Sequence, residues 1–78
     1  MTLFEQVQQV VAGTLSIPAE SVTMKTTQEN LAAWDSLAHV NLVMALEQQF
    51  QIELEVEEFM ELNSVETIVR YLEEAGID

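Results

Sequence analysis

Leu3, Val7, Val10 and Val11 recur at three- and four-residue intervals, with Phe4 and Leu15 beside them, which lays one apolar stripe along a helix and leaves Gln6, Gln8 and Gln9 on its wet side. Thr2 and Glu5 have the spacing of a capping box, so this helix is predicted to start at once. Gly13 makes its last turn before Ser16 the weak point, since a helical glycine costs about 1 kcal/mol. From Leu37 to about Phe50 the apolar positions again follow a helical period, with a face wide enough to predict a central, well-buried helix. The stretch Ile52-Glu53-Leu54-Glu55-Val56 alternates apolar and acidic residues as a strand would. A lone strand has nothing to pair with, so an extended link into a short helix from Glu57 to Met60 is the more economical expectation. Asn63 or Ser64 then caps a last helix whose inner face is Val65, Ile68, Val69 and Leu72, with Gly76 as its terminator.

Between the first two long helices lies a segment of different character. Ile17-Pro18 and Ala19-Glu20-Ser21-Val22 read as a turn with one short helical turn, and a polar loop through Thr23, Lys25, Thr26, Thr27 and Asn30 follows. Leu31 and Trp34, the sole tryptophan, are expected to anchor this loop in the core. A connection of that length in so small a chain points to function. It ends at Asp35-Ser36-Leu37, the mouth of the central helix.

A chain of 78 residues is read as one domain spanning residues 1 to 78. There is no cysteine, so neither a disulfide nor a cysteine-built zinc site can staple it, and helix packing must carry the fold. The longest apolar run, Leu42 to Leu46, is far below the roughly 20 residues of a membrane span. The N-terminus lacks the charged and apolar regions of a secretory signal, so cytoplasmic residence and no membrane insertion are the expectation. Net charge is −12: residues 1 to 35 hold four acids against one lysine, while residues 47 to 78 hold ten against one arginine. Nucleic acid is therefore excluded as a partner class, and basic protein surfaces are favoured. The acids from Glu53 to Glu61 lack the aspartate-rich loop and central glycine of a calcium site, and no metal is expected.

Ser36 is the residue to explain. A serine at a helix mouth can simply cap orphan amides, a role worth about 1 kcal/mol, or it can present a hydroxyl where an attached phosphate is electrostatically welcome. His39, the sole histidine, follows by three residues, but without an orienting carboxylate or an oxyanion hole the pair does not make a hydrolase. An exposed or partner-contacting His39 is expected, and Met24, Met44 and Met60 are expected to fill gaps in the packing.

The run Asp35-Ser36-Leu37-x-x-Val40-x-Leu42-Val43-Met44-Ala45-Leu46-Glu47-x-x-Phe50 resembles the phosphopantetheine-attachment segment of acyl carrier proteins. Length, acidity, the long first loop, the short third helix and the Asn63-Ser64-Val65 start of the last helix fit the same family. The resemblance implies an all-α, small antiparallel four-helix bundle with three longer helices and one short one. It implies a non-enzymatic, monomeric carrier in which a phosphopantetheinyl transferase moves the 4′-phosphopantetheine arm of coenzyme A onto Ser36. Asp35 would help position Ser36 for that transferase. The arm also gives the missing cysteine a meaning, because the thiol that forms the thioester is imported.

Acyl-loading and acyl-processing enzymes with basic docking patches are the further partners implied. Leu37, Val40 and Met44 would supply the apolar docking surface, and Glu47, Glu53 and Glu57 the acidic contacts. Fatty-acid-synthesis carriers usually place a glycine shortly before the Asp-Ser pair and more acids on the central helix. Here Ala32-Ala33-Trp34 precede it and Ala38, Asn41, Gln48 and Gln49 are neutral, so a specialised secondary-metabolite or polysaccharide pathway is indicated alongside a fatty-acid-like one. A peptidyl or aminoacyl carrier, and an unmodified acidic helical adaptor binding through residues Glu53 to Glu66, are the alternatives.

Overall fold

Helix α1 opens where the capping box predicts: in a computed structural model describing residues 1–77, Thr2 Oγ1 accepts from the Glu5 amide and Glu5 accepts from the Thr2 amide. It runs Leu3–Leu15, straight through Gly13. A single 3₁₀ turn follows at Ala19–Ser21, then helices α2 (Ser36–Phe50), α3 (Val56–Glu61) and α4 (Val65–Glu74). The described residues are all-helical apart from an isolated bridge between Thr27 and Ser64, and three longer helices with one short one form the bundle that the resemblance implied.

α1 packs on both α2 and α4. Val7 and Val11 from α1, Leu42 and Leu46 from α2, and Val65, Ile68 and Leu72 from α4 are essentially solvent-free and make the centre of the core. The inner face of α4 is the one its spacing predicts. Of the two candidate caps Ser64 is the one used, with Thr67 at the third position. Gly76, at φ 84°, takes the left-handed conformation just past the helix end, where a residue without Cβ carries no steric penalty.

Several expectations change. α1 and α2 both end on left-handed residues that are not glycine, Ser16 at φ 57° and Gln51 at φ 54°. Gln8 is not on a wet face: its Nε2 donates to the carbonyls of Ala19 and Val22 at 2.8 and 2.9 Å, tying the 3₁₀ turn to α1. α2 buries a narrower stripe than its composition suggests, namely His39, Leu42, Val43 and Leu46. Met24, Met44 and Met60 are exposed and fill no gap in the core. The link from Ile52 to Glu55 forms no strand and α3 starts at Val56, as the argument against a strand anticipated.

The long loop is held by its own polar groups. Thr27 and Asn30 exchange side-chain to backbone bonds in both directions, and Thr26 Oγ1 accepts from the Thr23 amide. The Val65 amide donates to Thr26 O and the Gln28 amide to Asn63 O, at 3.0 and 2.9 Å. These bonds dock the loop on the start of α4, and Trp34, 1% exposed, pins its far end in the core. The loop therefore delivers Asp35 and Ser36 to the mouth of α2.

Candidate functional site at the mouth of helix α2

Asp35, not Ser36, is the capping residue of α2. Its backbone is extended, its Oδ1 accepts from the Ala38 amide at 2.8 Å, and its carbonyl receives the His39 amide at 2.9 Å. Ser36 is thus the first residue of the helix, exposed, and no hydrogen bond engages its hydroxyl among the described residues. The amides of Ser36 and Leu37 have no partner within the helix, which is the usual state of a helix N-terminus, and 15 residues of aligned peptide dipoles lie behind them. An anion on the Ser36 oxygen would meet those donors.

A mostly apolar groove of about 320 Å³ runs beside this hydroxyl, lined by Gln28, Ser36, His39, Val40, Phe59 and Met60. His39 contradicts the expectation of an exposed ring: it is 5% exposed and both nitrogens are used. An indole N–H can only donate, so the 3.0 Å contact from Trp34 Nε1 makes His39 Nδ1 the acceptor. The proton then sits on Nε2, which donates to Phe59 O at 2.7 Å. Phe59 meets the imidazole edge-on, with centroids 4.8 Å apart. With its one lone pair taken, His39 has none left for a general base, which removes the basis for a Ser36–His39 hydrolase.

The other site residues fall around the groove rim. Leu37 is 72% exposed, and Val40 and Met44 are also exposed, so all three stand on the outer side of α2. Val56 (76%) and Met60 (69%) on α3 are large exposed apolar residues too; the sequence reading overlooked the first and assigned the second to packing. Their position on a short helix after acidic residues was the one available signal. Glu53 and Glu57 are exposed, whereas Glu47 is half-buried and its Oε2 accepts from the Leu54 amide at 2.8 Å, pinning the α2–α3 link. Glu58 accepts from the Glu55 amide, and this bond, with the Tyr71 hydroxyl beside it, holds its carboxyl below the ordinary value. The same contact raises the Tyr71 phenol. No cluster of metal-ligating side chains occurs among the described residues, and no helix is long and apolar enough to cross a membrane.

The exposed serine, the donor-rich helix end and the groove suit a phosphate-linked arm in charge, access and room. Comparison with known proteins agrees. Residues 5–72 match the family model described as phosphopantetheine attachment site. An acyl carrier protein of Campylobacter curvus is 42% identical over 77 residues, covering 97% of this chain and 99% of that protein. One from Campylobacter concisus is 40% identical with the same coverage, and one from Helicobacter pylori is 38% identical over 74 residues, 95% of each chain. The chain therefore belongs to the acyl carrier proteins, whose prosthetic group is a covalently attached 4′-phosphopantetheine.

Proposed function

We propose that Ser36 is the attachment residue and that the protein carries acyl groups as thioesters on the arm, in the cytoplasm and as a monomer, for a specialised secondary-metabolite or polysaccharide pathway or a fatty-acid-like one. The observation that carries this reading is the division of labour at the helix mouth. Asp35 supplies the cap, which leaves the Ser36 hydroxyl exposed and unbonded. In the transfer, Ser36 Oγ attacks the phosphorus that bears the pantetheine of coenzyme A. An Oγ–P bond forms, the diphosphate P–O bond breaks, adenosine 3′,5′-bisphosphate leaves, and the serine proton passes to the transferase. Magnesium bound by the transferase offsets charge on the diphosphate. The new phosphodiester then lies at the amide-rich end of α2. Asp35, by ordering the first turn, fixes the direction in which Ser36 is offered.

Leu37, Val40 and Met44, extended by Val56 and Met60, form the apolar part of the docking surface, and Glu53 and Glu57 the acidic flank that meets basic patches on partner enzymes. Glu47 contributes through the link it holds as well as by its charge. The specialised pathway is supported by Asn41, Gln48 and Gln49, which are exposed and neutral, so α2 presents a weakly charged face for an otherwise strongly acidic protein. Carriage without catalysis is supported by His39, whose ring is fully engaged.

Intact-protein mass spectrometry after incubation with coenzyme A, magnesium and a broad-specificity phosphopantetheinyl transferase tests the assignment. The wild-type chain should gain one arm and Ser36→Ala none. An unmodified wild type beside a modified control carrier would point instead to an acidic adaptor.

A further inference from the structure

His39 and Phe59 line the groove beside Ser36, while Trp34, Leu42, Leu46 and Leu62, each 4% exposed or less, belong to the closed core. Passing deeper between α2 and α3 means displacing the imidazole, which is held from both sides by Trp34 Nε1 at 3.0 Å and Phe59 O at 2.7 Å. Trp34 stacks on it with centroids 6.0 Å apart, and Phe59 closes the other side edge-on. No residue of α3 is buried, so the bond from His39 to the Phe59 carbonyl is a principal tie between that helix and α2.

We propose that the Trp34–His39–Phe59 bridge seals the α2–α3 seam and restricts this carrier to short or polar acyl cargo that stays outside the helical bundle. The proposal rests on Ser36 as the attachment residue. Opening the seam would leave an indole N–H, an imidazole N–H and a ring nitrogen without partners in apolar surroundings, and a buried polar group without a partner is costly. A cargo of few carbons gains little by entry, since the gain grows with each methylene removed from water. A long alkyl chain has enough methylenes to gain, but no space in the core opens for it until the bridge breaks. It would therefore reach no further than the open groove beside Ser36, and the carbons that groove does not cover stay in water, which makes long apolar cargo a poor load for this protein.

The test loads the full chain by transferring butanoyl-, octanoyl- and dodecanoyl-pantetheine from the corresponding coenzyme A thioesters, with intact mass as the readout of loading. Thermal unfolding and the amide chemical shifts of Leu42, Leu46 and Ile68 are then compared across the three cargoes. Wild-type core shifts should be the same for all three, and Tm should not rise from octanoyl to dodecanoyl. In His39→Ala the seam is open, and dodecanoyl should raise Tm over butanoyl by about 4 °C or more and move the core amides. His39→Thr, which removes the ring and both of its bonds while filling part of the vacated space, serves where His39→Ala does not fold and should give the same trend. If no cargo attaches, the Ser36 assignment falls and this proposal with it. If cargo attaches and dodecanoyl stabilises the wild type beyond octanoyl or moves its core amides, the seal is overturned and the assignment stands. A folded, loaded variant that stays flat with chain length would overturn the bridge as the barrier.

Discussion

Assigning the cap of α2 to Asp35 separates two neighbours that a sequence alone treats as one unit, and substitution can measure the separation. Asp35→Ala removes the acceptor of the 2.8 Å bond from the Ala38 amide. Loss of such a cap costs about 1 kcal/mol, within a range of roughly 0.5–2. For a domain of this size that lowers Tm by about 4–8 °C. Ser36→Ala removes a hydroxyl with no hydrogen bond and places a better helix former at the first helical position, so its effect should stay within about 0.5 kcal/mol. Charge complicates the comparison in both directions. Removing a carboxylate from a chain of net charge −12 relieves repulsion, but it also forfeits a favourable interaction with the helix N-terminus, about 0.3–1 kcal/mol. Asp35→Asn resolves this, because asparagine caps about as well as aspartate and changes only the charge. Circular dichroism melts at about 0.15 M salt, where exposed charges more than about 8 Å apart are largely screened, should rank wild type, Ser36→Ala and Asp35→Asn together and Asp35→Ala below them. A Ser36→Ala loss as large as that of Asp35→Ala, or an Asp35→Asn loss equal to it, would refute the assignment of the cap.

Trp34→Phe keeps an aromatic ring but strips the donor from His39 Nδ1, and denaturant unfolding should register a loss of about 1–3 kcal/mol for the unsatisfied nitrogen; an unchanged midpoint would reduce Trp34 to a packing residue. Tyr71 titrates above its ordinary 10.0 because Glu58 lies beside it, so the phenolate absorbance midpoint should fall towards 10.0 in Glu58→Gln. A raised phenol gives its stabilisation in full below pH 10.0 and loses it as pH climbs through the folded-state pKa. Glu58 and Glu5, both lowered from 4.5, behave in the opposite sense: their contribution is present above pH 4.5 and lost as pH falls through the folded values. Added salt or magnesium should raise Tm at neutral pH, since net charge is −12 and the one ion pair among the described residues is an exposed Arg70–Glu66 contact at 3.6 Å; a flat titration contradicts this.

α1 and α4 were legible because their apolar residues keep strict three- and four-residue spacing, and at α1 the Thr2–Glu5 capping box agrees with the pattern. α2 was legible as a helix but not in its orientation. Leu37, Val40 and Met44 are as apolar as the core residues Leu42, Val43 and Leu46, and nothing in hydropathy tells a surface that awaits a partner from one already covered. The exposed methionines were misassigned for the same reason. The role of Gln8 was hidden differently, since its partners lie 11 and 14 residues away on a turn whose placement is a tertiary fact.

His39 shows where the missing information resided. Its neighbours in sequence say nothing of burial, and its partners, Trp34 and the carbonyl of Phe59, are brought together only when the loop and α3 close on α2. One clue was available: a buried tryptophan N–H needs an acceptor, and on the first turn of α2 the only neutral ring that can supply one is His39. The consequence reaches the site. A protein that holds a thioester near Ser36, as proposed, must not hydrolyse it, and the imidazole three residues on has its lone pair facing an indole and its proton facing a carbonyl. The same two bonds that, on this proposal, close the seam to cargo also occupy both nitrogens of the imidazole, which gives the inertness expected of a carrier and the restriction on its cargo a common structural source.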